Sequence, residues 1–493
     1  MDPGNYATSV SGGAQYKYTL LFSIFISNIF AVLLQCLCVK LGTITGYDLA
    51  ENCRHNLPKK LNYTLYLFAE VAIIATDLAE VVGTAIALQI LFKIPLTWGV
   101  LLTVLDVLVI LMFYTPNGQS LKKVRVFEFG VGILVIGTCI CFVLELFKVS
   151  IPDKAELFKG FLPSNIIFKE QQALYISLGI LGATVMPHSL YLGSSIVKPR
   201  LHDYDLKKYG KVNARPSLSA IKYTLNYAYA ELIISLFLIA TFVNSAILIV
   251  AGATLSGQPE AEDADLLSIY KLLVHYISPA AGLIFALAML CSGQSAGIIC
   301  TLAGQIVSEG FLQWSLPPWA TRLCTRLIAI VPCLFVTLTM GEKGISDILN
   351  FSQVVLSLIL PIVSAPLIYF TANRKLMVVH DENGVVRAPA DVNAIADETT
   401  PLNSKHSKIV DFTNSRLLTY TSVFVWALIG SLNCYLVISY LLGADIHFLM
   451  EPIYCQVCRF LSILVFSHFF ILHNTTQVYT YVCIAFRTNA YFI

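Results

Sequence analysis

Asp2-Pro3-Gly4-Asn5 and Met186-Pro187-His188 are helix-breaking sequences set among apolar residues, and together they offer a carboxylate, a carboxamide and a thioether. A membrane helix broken at such points frees backbone carbonyls and amides, which bilayer depth tolerates only where they line a cavity or bind something. Asp2, Asn5, the Met186 sulfur and the freed carbonyls form a donor set suited to a transition-metal ion. Oxygen ligands alone would admit calcium and magnesium, whereas a thioether favours softer ions, so Met186 is the selectivity candidate. Asp2 supplies the one full negative charge. Each residue has a plainer reading: Pro187 as a simple proline kink, Met186 as flexible apolar filler, Asp2 as an ordinary terminal residue. The pairing of two breaks argues against the first. The expense of a membrane-embedded carboxylate argues against the last.

A second set of residues has proton chemistry. Asp77 and Glu80 lie three residues apart, on one face of a helix, where their carboxylates can relay a proton. His188 follows the second break, and an imidazole is the side chain able to exchange a proton near neutral pH. Arg326 sits within an apolar stretch and requires a buried carboxylate partner. A tie between helices and a packing histidine are the structural alternatives.

The elements that must position these groups are membrane helices. The chain has 493 residues, 57% of them hydrophobic and 13% charged. Its mean hydropathy of +0.73 is incompatible with a water-exposed globular surface. Apolar runs of spanning length fall near 19–41, 63–91, 96–114, 124–148, 172–198, 218–251, 274–307, 319–340, 345–371 and 416–442, after a truncated first span at 2–11. That gives an all-α integral membrane protein of about eleven transmembrane helices. Lys and Arg concentrate in alternate loops, among them Lys59, Lys60, Lys122, Lys123, Arg200, Lys207, Lys208 and Arg374, which places those loops in the cytosol. The acidic cluster Glu260, Glu262, Asp263 and Asp265 then faces outward or into a lumen. The net charge of +2 implies no nucleic-acid partner.

The thirteen cysteines lie mostly in apolar segments and read as core residues, the single Cys455-Gln-Val-Cys458 included. Gly293-x-x-x-Gly297 reads as a close helix contact. Residues 373–415 form the one long polar insertion and read as a disordered cytosolic loop. Within it Glu398-Thr-Thr-Pro-Leu402 partly matches an acidic dileucine sorting signal. The chain opens on what should be the middle of a helix, so an inner half-helix is expected to be missing. A further span within 449–493 is weakly supported.

The two breaks fall at equivalent places if spans one to five and six to ten are copies of one five-helix unit, and matched broken segments point to a substrate site near the midplane. At this point the residues resemble a known family. The Asp2-Pro3-Gly4-Asn5, Ala183-Thr-Val-Met186-Pro-His188 and Thr76-Asp-Leu-Ala-Glu80 segments are similar to those of the Nramp family of proton-coupled divalent-metal transporters, over roughly residues 1–442, with a fungal vacuolar-type member the nearest in character. The resemblance implies a LeuT-like 5+5 inverted repeat with broken first and sixth helices, its first repeat at 1–148 and its second at 149–371. A polar cytosolic loop at 372–415, span eleven at 416–442 and a tail at 443–493 would follow. It implies a metal site of Asp2, Asn5, the Ala183 carbonyl, Met186 and Gln353, and a proton path of Asp77, Glu80, His188 and Arg326, with Asp77 and Arg326 as a charge pair.

The expected activity is therefore secondary transport of Fe²⁺ or Mn²⁺ toward the cytosol with protons. No enzyme activity and no cofactor are expected. The partners are divalent ions, protons and the bilayer, and a monomer suffices. A vacuolar membrane is the first expectation, a plasma or endosomal membrane the alternative. No phosphate-binding Walker loop or Asp-Lys-Thr-Gly segment is present, which disfavours a pump. A sodium-coupled amino-acid transporter on the same fold is the first competing reading, and a non-transporting metal sensor or receptor the second.

Overall fold

The computed structural model describes residues 2–113, 153–210, 216–257, 266–313 except 277, 318–387 except 383–384, 408–441 and part of 129–151. Much of the expected span 124–148, the acidic cluster at 260–265, Cys455, Cys458 and the candidate last span lie outside the described residues.

Helix α1 (Pro3–Tyr16) leads into α2 (Leu21–Thr45), the short α3 (Leu49–Asn56), α4 (Lys59–Phe92) and α5 (Leu96–Phe113). After α6 (Lys154–Lys159) the chain forms α7 (Gln171–Thr184) and α8 (Pro187–Ser195), then α9 (Lys198–Tyr209). Helix α10 (Leu218–Leu232) runs through a π-helical stretch at Ile233–Ala240 into α11 (Thr241–Thr254). Apart from single turns at Ile166–Lys169 and Arg374–Met377, the remaining helices among the described residues are α12 (Leu266–Tyr276), α13 (Pro279–Leu312), α14 (Pro318–Ala372) and α15 (Arg416–Leu441). The two spans expected at 319–340 and 345–371 are one helical run interrupted at Gly341, whose φ of 68° and ψ of −143° only glycine adopts without strain. Helix α1 is longer than the 2–11 segment read from hydropathy, because Ser11-Gly-Gly-Ala-Gln-Tyr16 is helical despite its weak apolar signal.

Seven helices among the described residues are long and apolar enough to cross a bilayer. Their outer faces carry the lipid contact: Ile234, Leu238, Leu417 and Phe424 are all more than half exposed. Inside, the apolar residues form two clusters, and the boundary between them runs through the candidate site. On α4 one cluster ends at Ala75 and the other begins at Leu78. On α14 the boundary lies between Leu349 and Val354, and on α13 between Met289 and Cys300. Thr76, Asp77, Ser292, Ser295, Ser352 and Gln353 fill that seam, all buried. Polar groups at that depth must find partners inside the protein, since lipid offers none.

The loop read as disordered is structured at both ends, a correction to that expectation. Val378–Glu382 (β1), Val385–Arg387 (β2) and Lys408–Asp411 (β3) form an antiparallel sheet in the order β2-β1-β3. The β-branched pairs Val378-Val379, Val385-Val386 and Ile409-Val410 supply the strand signal that the polar composition hides. Met377 and Val379 are buried against the helical core.

Candidate metal and proton site

Asp2 caps α1 in an extended conformation, and its Oδ1 accepts from the Asn5 backbone N–H at 3.0 Å and from Asn5 Nδ2 at 2.9 Å. Pro3, the first helical residue, has no N–H, and none is needed there. Asn5 Nδ2 also donates to the Ala183 carbonyl at 3.2 Å, across the break between α7 and α8. That carbonyl is available because Pro187, four residues on, lacks the N–H that would have bonded it. Val185 and Met186 are non-helical, with φ/ψ of −107°/76° and −72°/125°.

Gln353 of α14 is fully buried and its carboxamide lies on Gly4. A Cβ at Gly4 would stand 2.2 Å from Gln353 Cδ. The Gln353 amide nitrogen donates to Ser352 Oγ at 3.0 Å. Asp2 Oδ2 and Gln353 Oε1 are buried acceptors with no hydrogen-bond partner among the described residues. The structure thus brings Asp2, Asn5, Ala183 and Gln353 together. Met186 is half-buried on the unwound link, where its carbonyl accepts from the Ser189 backbone N–H at 3.1 Å and from Ser189 Oγ at 2.6 Å.

No group of three or more His, Cys, Asp or Glu side chains is placed to hold a metal among the described residues. A site with one carboxylate and neutral oxygens differs from such a cluster in strength, because affinity for hard cations follows the ligand charge count. It suits an ion that must leave again.

The second group lies beside the first. Arg326, fully buried on α14, places Nη2 3.0 Å from Glu80 Oε1 and Nη1 3.6 Å from Asp77 Oδ1, while Nη2 also lies 3.5 Å from the Thr103 carbonyl. Both carboxylates therefore face one guanidinium, and Glu80 is the closer of the two. Gly297 of α13 admits this arrangement, because a Cβ there would come within 1.8 Å of Glu80 Oε1. His188 Nδ1 lies 3.2 Å from Thr76 Oγ1, one residue before Asp77. Helix α8 thereby meets α4 where the carboxylates begin. Thr76 was legible only as part of the motif around Asp77, and the Gly4 contact had no sequence signal beyond the helix break itself.

The lower end of α8 is tied down separately. Lys198 Nζ reaches Asp48 Oδ2 at 2.8 Å and also pairs with Glu51, and Leu49 N donates to Ser194 Oγ at 2.8 Å. Asp48 and Glu51 form the capping box of α3. Burial pushes the Asp48 carboxyl up to about 6, against the pull of Lys198.

The family described as natural resistance-associated macrophage protein-like, Nramp, matches residues 1–392. The manganese transporter SMF2 of Saccharomyces cerevisiae is 50% identical over 479 residues, 91% of this chain and 87% of that protein. The divalent metal cation transporter MntH of a Nostoc species is 47% identical over 379 residues, 76% of this chain and 81% of that protein. A crystal structure of the manganese transporter of Eremococcus coleocola, in complex with an aromatic bis-isothiourea compound, superposes with a TM-score of 0.74 at 29% identity, covering 99% of this chain and 92% of that one.

Proposed function

This chain belongs to the Nramp family of divalent-metal transporters, multi-pass membrane carriers and not enzymes, and from that premise we propose that it moves Mn²⁺, and Fe²⁺ by the same route, toward the cytosol together with protons. The fold is shared with the Eremococcus coleocola manganese transporter, and a LeuT-like reading fits the helix that starts at the Asp2 cap and the run that breaks between α7 and α8.

The observation that carries the proposal is the meeting of Asp2, Asn5, the Ala183 carbonyl and Gln353 where α1 starts and where α7 breaks from α8, with Asp2 Oδ2 and Gln353 Oε1 buried and without a hydrogen-bond partner among the described residues. An incoming cation supplies those acceptors with the positive charge they lack. It also competes with the Asn5 amide for Asp2 Oδ1 and the Ala183 carbonyl. Met186, on the link between α7 and α8, adds the soft donor that favours Mn²⁺ and Fe²⁺ over Ca²⁺. An amino-acid substrate would present its own carboxylate and be repelled by Asp2, so the amino-acid reading has no support in this geometry.

Protons use Asp77, Glu80, Arg326 and His188. Two carboxylates facing one guanidinium form a neutral trio once a single proton joins them, which makes the pair a carrier that can load and release at buried depth. The Thr76–His188 contact links that carrier to the break beside the metal site. Every residue named lies in one copy of the chain, so a monomer suffices, and no cofactor is required. The two five-helix units, 1–148 and 149–371, rock about this site. A vacuolar-type membrane, with an acidic lumen as the proton source, fits the direction. The sorting-like segment at 398–402 lies outside the described residues.

The test is Mn²⁺ uptake into proteoliposomes with and without an inward proton gradient. Asp2→Ala should reduce uptake by more than ~100-fold, since even changes to the groups that support metal ligands cost about 10–100-fold. Met186→Ala should retain Mn²⁺ uptake and admit Ca²⁺. Uptake unchanged by Asp2→Ala would overturn the metal site, and uptake indifferent to the proton gradient would overturn the coupling.

A further inference from the structure

The structure assigns a positioning role in metal capture to Asn433, on a helix outside the two repeats. Pro361 lies inside α14 and has no N–H, so the carbonyl four residues earlier, that of Ser357, loses its helical donor. Asn433 of α15 fills the gap: its Nδ2 donates to the Ser357 carbonyl at 3.0 Å, and its Oδ1 accepts from Ser357 Oγ at 3.2 Å. The second hydrogen of the same amide goes to the Ile429 carbonyl at 2.9 Å. Both carbonyls can only accept, so the nitrogen must face them, and the orientation of the amide is fixed by chemistry. Asn433 is buried, and both of its donor hydrogens are used.

Two turns earlier on α15, Trp426 Nε1 donates to the Pro361 carbonyl at 2.8 Å. Helix α15 therefore grips both ends of the turn from Ser357 to Pro361. Gln353 lies one turn before Ser357, and the backbone of that same turn bears on the broken helix. A Cβ at Gly182 would stand 1.9 Å from the Gln353 carbonyl and 2.8 Å from the Ser357 N. The residue after Gly182 is Ala183. A rigid column thus runs from the Ala183 carbonyl through Gly182 and the Gln353–Ser357 turn to Asn433. Within it, Asn433 replaces the N–H that Pro361 lacks and holds the height at which Gln353 presents its oxygen to the ion. A simple adhesive between α14 and α15 would need neither a bond to this one carbonyl nor a second anchor at Pro361.

The inference rests on the proposed metal site, and its test separates the two. Kinetics of Mn²⁺ uptake by the reconstituted full chain are compared for the unaltered protein, Asn433→Leu, Gln353→Ala and the double variant. Asn433→Leu should raise KM about three- to tenfold, and that rise should vanish in the Gln353→Ala background, as expected of coupled neighbours. It should also shrink in Pro361→Ala, where a restored N–H takes the Ser357 carbonyl. A KM unchanged by Asn433→Leu, or a rise that persists in full beside Gln353→Ala, overturns the role of Asn433. Should Gln353→Ala alone leave KM unchanged, Gln353 is no ligand and the metal-site reading is at fault. If Asn433→Leu does not accumulate, Asn433→Ser, too short to reach the carbonyl, takes its place: a rise in KM that vanishes beside Gln353→Ala supports the role, and an unchanged KM or a persistent rise overturns it.

Discussion

At Pro187 the carbonyl left without a helical donor is that of Ala183; at Pro361 it is that of Ser357. The first is met by a side chain of α1, Asn5, which is itself a candidate ligand. The second is met by Asn433 from a helix that takes no other part in the site. Each proline removes one donor, yet one carbonyl is held by a partner that can exchange it for a cation and the other is locked. The difference lies in the backbone around them. Val185 and Met186 leave helical geometry ahead of Pro187, so several groups are freed together, whereas Pro361 sits in continuous helix and frees one. Binding needs a cluster of loose groups. Positioning needs a single satisfied one.

This contrast can be broken at either proline. The largest effect is expected at Pro187→Ala, which returns an N–H able to bond the Ala183 carbonyl and to rewind the link. The KM for Mn²⁺ should rise about 10–100-fold, the scale seen when groups supporting a metal site are lost. Normal uptake by that variant would mean that the Ala183 carbonyl is not a ligand. Gly182→Ala sits between the two regions, and its Cβ would collide with the Gln353 backbone. Overpacking of this kind costs about 1–3 kcal/mol, so a lower thermal midpoint in detergent should accompany a weaker affinity for Mn²⁺. The smallest effect belongs to Ser357→Ala, which removes the hydroxyl bond to Asn433 and leaves the carbonyl bond in place. About 1 kcal/mol of stability should go, with little change in KM. A large rise in KM there would mean that the hydroxyl, and not the carbonyl, locks the turn.

What could be read in advance follows the same division. The helix start at Asp2-Pro3-Gly4-Asn5 and the break at Pro187 were legible because proline and glycine act on their own neighbours in sequence. Asp77, Glu80 and Arg326 were legible because charge in an apolar run demands a partner, although which carboxylate lies closer to Arg326 was not. Gln353 has no local signature, and only the family resemblance located it. The Asn433–Ser357 bond joins residues 76 apart, and sequence marks only half of it, the proline that creates the need. The small sheet escaped notice because each of its strands carries only a two-residue apolar run in a polar insertion, where composition outweighs pattern.

That sheet has a practical meaning. Strands β2 and β3 flank β1, with Arg387 opposite His380 and Lys408 opposite Asp381, so the chain departs and returns at points roughly 10 Å apart, two strand spacings. Below them Phe412 N bonds the Met377 carbonyl, Asn414 N bonds the Thr371 carbonyl, and Lys40 Nζ reaches Asn414 Oδ1 at 2.6 Å. The stem is clamped at its base, and whatever length of peptide lies between 387 and 408 pulls on the sheet rather than on α14. A fluorescent reporter or an affinity tag spliced between Arg387 and Lys408 would therefore ride on the carrier without disturbing its cycle.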